Sequence, residues 1–83
     1  MEYLLVKFET SRRVRINDNP FGFTNTVIQI EAGTHTVKLE APPDFSPLAQ
    51  TVLIENTSPL APLTVTFHRL PASAIPPAPG TRK

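Results

Sequence analysis

The chain has 83 residues, of which 40% are hydrophobic and 18% charged, with a formal net charge of +1 and no cysteine. A chain of this length makes one domain with a small core, because roughly 40% of its unfolded surface stays exposed after folding. The near-neutral charge gives no electrostatic case for nucleic acid or an anionic membrane, and the missing thiols exclude disulfides, thiolate zinc sites and cysteine nucleophiles.

The first run, Met1 to Lys7, is too short for the apolar core of a signal peptide and lacks a preceding positive segment. No stretch approaches the ~20 apolar residues of a membrane-spanning helix, so no membrane insertion is expected. A cytoplasmic location follows from the chain as written, or the cell envelope if an export signal has been cut away. Six runs then alternate apolar with polar residues between turn-forming clusters: 3–9, 12–17, 26–31, 34–41, 49–55 and 62–69. That spacing is the mark of an all-β fold. Successive side chains of a strand point to opposite faces, so parity assigns the core. Leu4, Val6 and Phe8 point inward, as do Val14 and Ile16, Ile28 and Ile30, His35, Val37 and Leu39, and Leu63, Val65 and Phe67. Ten prolines scattered through the chain leave no window with helical periodicity, and no helix is expected.

Between the runs, Asn17 to Asn25 reads as a long loop containing Gly22. Its Asn17-Asp18-Asn19 segment is an Asx-rich turn, since it lacks the alternating acidic ligands and distal Glu of a calcium loop. Gly33 separates the third and fourth runs, where a residue free to take positive φ would close a hairpin. Pro42, Pro43 and Pro47 mark a further loop, and Pro62 suggests the start of an edge strand, where its missing N–H costs least. From Pro71 the composition becomes proline-rich, so residues 71–83 read as a flexible tail after a domain at 1–70. Within that tail Pro76 and Pro79 have the spacing of a polyproline ligand, which also arises by chance in any such segment.

The residues resemble a known pattern. Val14-Arg15-Ile16-Asn17-Asp18 lies where a first strand and polar turn stand, Pro20-Phe21-Gly22-Phe23-Thr24-Asn25 takes the place of a Gly-x-Thr-Pro loop, and Gly33-Thr34-His35-Thr36-Val37 matches a Gly-x-His-x-Val strand. The arrangement resembles the PEGA domain over roughly residues 4 to 69. Glu9-Thr10-Ser11-Arg12 occupies the place of the tetrapeptide that names that family, Asn25 replaces the proline, and Asp44-Phe45 replaces a Gly-Tyr. The resemblance implies a small antiparallel β-sandwich of about six strands and a non-catalytic structural or binding module. It transfers no active site.

Candidate sites are few. Ser11, Ser46, Ser58, Ser73, His35, His68, Asp18 and Asp44 are available in principle for a triad, but parity turns His35 inward and His68 outward, so the imidazoles should not share a metal or a proton relay. No phosphate loop, Gly-x-Ser-x-Gly elbow or His-Glu-x-x-His occurs. No catalytic, cofactor or metal site is therefore expected, and His35 should instead be a core-edge residue with a backbone partner. Phe21 and Phe23 flank Gly22 and are candidate anchors for a partner, unless the rings tuck under the sandwich and close its end. Arg12, Arg13 and Arg15 form the only basic cluster, with Arg13 and Arg15 on one strand face, which reads as a solvated face or as a surface for an acidic partner. Single-stranded nucleic acid is not expected as a partner, because aromatic platforms are not interleaved with those charges. The expected function is docking of a protein partner, or self-association, through edge strands and the Phe21–Phe23 segment. A carbohydrate- or envelope-binding module is the alternative, with polysaccharide stacked on exposed aromatics.

Overall fold

A computed structural model describes residues 1–71, so the expected tail and its Pro76–Pro79 spacing lie outside the described residues, apart from Pro71. Nine strands follow in order: β1 (Glu2–Lys7), β2 (Arg13–Ile16), β3 (Asn19–Phe23), β4 (Val27–Ile30), β5 (Gly33–Leu39), β6 (Phe45–Ser46), β7 (Gln50–Ile54), β8 (Leu63–Thr66) and β9 (His68–Arg69). No helix occurs among the described residues. Two sheets make the sandwich, one with strand order β4-β1-β8 and one with order β3-β2-β5-β7, and β6 pairs with β9 as a short ribbon.

Alternation in the sequence becomes the core. Leu4, Val6, Phe8, Val14, Ile16, Ile28, Ile30, Val37, Leu39, Val65 and Phe67 are buried, joined by Phe45 and Ile54. Every one of the first eleven was assigned inward by parity. Phe45 sits edge-on between Phe8 and Phe67, with ring centroids 6.3 and 5.7 Å away. It supplies the aromatic side chain at the position where the family pattern has Gly-Tyr.

Four features depart from the sequence expectations. The stretch after Ile16 is a strand, not a long loop: Asn17 and Asp18 form a two-residue turn with φ of 51° and 70°, and β3 returns antiparallel along β2 with Ile16 opposite Asn19. Tight hairpins need positive φ at both central residues, which Asn and Asp tolerate better than other non-glycine residues. Gly22, with φ of 80°, belongs to an irregularity where the register shifts between Arg13 and Arg15. The second departure concerns Gly33, which closes no hairpin. It is in the left-handed half of the map at φ 131° and passes the chain from β4 in one sheet to β5 in the other. Third, one pair is parallel where an antiparallel sandwich was expected: β8 lies along β1 with Leu4 opposite Leu63 and Lys7 opposite Thr66. Fourth, the last run divides into β8 and β9, and the Pro42–Pro47 loop contains β6. Pro62 does precede an edge strand, since β8 borders its sheet.

Candidate functional site

The two sheets meet along their β3 and β4 sides. In the middle of that side Gly22 lies against Ile28, so closely that a Cβ there would come within 2.9 Å of Ile28 Cγ1. Toward the Asn19 and Ile30 ends a cleft of about 390 Å³ opens. Its floor includes Ile16 and Ile30, and its rim includes Phe21, Gln29, Glu31 and His35. β3 and β4 are each an outer strand of their sheet, so both flank the cleft with an unpaired edge. Pro20 removes one donor from β3, a loss that an edge strand tolerates.

Phe21 and Phe23 both stay at the surface, 40% and 46% exposed, and neither ring tucks under the sandwich. Phe21 borders the cleft. Phe23 is occupied on one face by Arg13, whose guanidinium carbon is 4.4 Å from the ring centroid. Arg15 is held within the fold: it pairs with Glu40 at 3.1 Å and donates to the Asp18 carbonyl. Of the candidate partner residues, Phe21 stands at the rim of the cleft and Phe23 is exposed beside it, Arg13 supports the Phe23 ring, and Arg15 braces the hairpin below.

His35 is partly buried at the edge of the core, as its parity required. One ring nitrogen lies 2.9 Å from the Glu31 carbonyl oxygen and the other 3.0 Å from Asn17 Nδ2. Asn17 Oδ1 accepts from the Thr36 N–H at 3.0 Å. His35 therefore fastens the β2–β3 turn to the cleft wall. His68 is exposed in β9, and no group of three or more His, Cys, Asp or Glu side chains able to hold a metal occurs among the described residues.

Sequence reasoning placed Arg12 in a solvated basic cluster, and the structure corrects this. Its guanidinium makes a two-pronged contact with Asp44, both distances 3.1 Å, and donates to the carbonyls of Glu40 and Pro42. Arg69 donates to the same carboxylate at 2.9 Å and pairs with Glu9 at 2.6 Å. Both guanidinium groups lie over the Phe8 ring, at 5.2 and 5.4 Å. The hydrogen bonds from Arg12 hold the Asp44 carboxyl below the usual carboxylate range against the opposing effect of burial, with the charges of Arg12 and Arg69 assisting. The signal for Arg12 was present in the sequence, because it shares parity with Val14 and Ile16. Asp18 is likewise lowered, first by its hydrogen bond to Lys38 and then by that charge.

The family model of the PEGA domain matches residues 10–68. The chain belongs to the PEGA family. No curated protein and no solved structure matches the sequence. PEGA is a family of non-catalytic modules, and the turn and strand positions that carried the resemblance are the ones that build the β2–β3 hairpin and the start of β5. Within this PEGA domain the Asp44-Phe45 variation is structural: Phe45 completes the aromatic core and Asp44 collects two arginines.

Proposed function

We propose that this PEGA domain is a docking module that holds a protein partner along its β3 and β4 side. The observation that carries this reading is the cleft between two unpaired strand edges, with the Phe21 ring at its rim and buried Ile16 and Ile30 at its floor. An incoming extended segment gains main-chain hydrogen bonds from the β4 edge and places an apolar side chain in the cleft, the mode in which sheet edges capture peptides. Aromatic side chains at such a rim lose little conformational freedom on binding and supply large contact area. Protein is favoured over polysaccharide because Arg13 already covers one face of Phe23, where a sugar ring would stack.

The test is photo-crosslinking in the cells that make the protein, with a benzophenone side chain at position 21, 23 or 60. Leu60 is 98% exposed and does not line the cleft, so it serves as the control. A discrete adduct formed from position 21, with or without one from its neighbour 23, and absent from 60 supports docking, and its mass separates a second copy from a different protein. No adduct, or the same adducts from all three positions, refutes the reading.

A further inference from the structure

The parallel pairing of β1 and β8 bears on a second role, independent of the cleft. β1 is the first strand of the fold and β8 the last long one, and they lie side by side and run the same way. Tension applied to the chain before β1 and after β9 passes through the two-residue β6–β9 ribbon and, once that gives way, drags β1 toward its own start and β8 toward its own end. The two strands are then pulled in opposite directions along their common axis. Every rung from Leu4–Leu63 to Lys7–Thr66 is loaded at once, in shear. Pulled across the strands instead, the same rungs would open singly.

Further hydrogen bonds and an ion pair close this pair at its two ends. At the start of β1, Glu2 Oε1 accepts from the Thr57 N–H at 2.9 Å and from its hydroxyl at 2.6 Å, while the Tyr3 N–H donates to Thr57 Oγ1 at 2.7 Å. Thr57 belongs to the connection leading into β8. At the other end the Phe67 N–H donates to the Lys7 carbonyl at 2.9 Å, and Arg69 bridges to Glu9. Gln50 Nε2 donates to the Thr66 carbonyl at 2.8 Å, tying β8 to the opposite sheet. Beneath the rungs Leu4, Val6 and Val65 are buried, which keeps water from competing for the bonds as they strain.

We infer that the domain is a tension-bearing module in which the β1–β8 pair is a shear clamp between whatever chain enters it and whatever chain leaves it. Forced unfolding is governed by the unfolding rate, so the direction of loading changes resistance without any change in equilibrium stability.

Single-molecule force spectroscopy on the full chain decides the matter. One set of molecules is pulled through its two ends. A second set carries Lys7→Cys and Thr66→Cys as handles, two exposed residues that face each other across the clamp in a chain with no other cysteine. End-to-end pulling is expected to need at least about twice the force of transverse pulling at the same loading rate, because several hydrogen bonds must break together. Thr57→Val should lower the end-to-end force and leave the transverse force, applied at the far end of the pair, unchanged. Equal forces in the two directions overturn the inference, as does a Thr57→Val variant that weakens both directions alike.

Discussion

Replacing Asp44 with asparagine tests how the β6–β9 end of the sandwich is held. Asp44 accepts three charge-assisted hydrogen bonds, two from Arg12 and one from Arg69, each of the kind that contributes about 1.5–3 kcal/mol. The losses differ in character. The Arg12 side chain is only 15% exposed and cannot recover water where it lies, whereas Arg69 is 35% exposed and keeps Glu9. Removing one partner of a buried pair costs about 3–5 kcal/mol, and the open Arg69 side puts this case at about 3 kcal/mol. For a domain of this size that lowers Tm by roughly 12–24 °C. Urea unfolding followed by circular dichroism measures it without the ionic screening that guanidinium would add. The pH dependence has a definite sign. Because the folded state holds the Asp44 carboxyl below its unfolded value, its contribution is complete above that unfolded value and disappears as pH falls through the folded one. Asp44→Asn should therefore be less stable at neutral pH and lose less further stability on acidification. Glu9→Gln, at the solvent side of the same network, should cost less than about 1 kcal/mol. The reasoning fails if Asp44→Asn costs no more than Glu9→Gln, or if the acid slope of the variant matches that of the parent.

Three further perturbations examine the hairpin and its neighbours. Gly22→Ala combines a φ of 80° with a Cβ 2.9 Å from Ile28 and should cost about 1–3 kcal/mol in thermal or urea unfolding. Asn17→Ala loses both the left-handed preference and the bond to the Thr36 N–H, so it should destabilise by about 1–2 kcal/mol, while Asn17→Gly recovers part of that in the same assay. Thr24→Val preserves shape but strips the hydroxyl that donates to the Thr10 carbonyl and accepts from the Arg12 N–H, both at 2.8 Å. A loss of about 2 kcal/mol is expected, with faster amide exchange at Arg12 in hydrogen-exchange measurements.

The core was legible because strand parity is local: Leu4, Val6 and Phe8 announce an inward face whatever they pair with. Pairing itself is not local. Gly33 at positive φ serves a hairpin or a passage between sheets equally well, and nothing within residues 27–39 distinguishes the two. β3 was obscured because Pro20 and Gly22 break its alternation, and both are acceptable only at an irregular sheet edge. β6 contains two residues, too few for any periodicity to show. The cleft depends on β3 and β4 drawing apart beyond Gly22, which brings Phe21 to the rim over Ile16 and Ile30, a juxtaposition of residues that lie in different sheets. Arg12 was misread by adjacency to Arg13 and Arg15, although its parity pointed inward.

The strand order β4-β1-β8 also governs how the domain is made. Of the domain's strands β1 is synthesised first, yet it is the central strand of its sheet, and its second neighbour is encoded 59 residues after it, counting from Leu4 to Leu63. During synthesis β1 has β4 on one side and a bare row of N–H and C=O groups on the other. The nascent domain is open to mispairing on that side until β8 emerges, completes the sheet and makes folding cooperative.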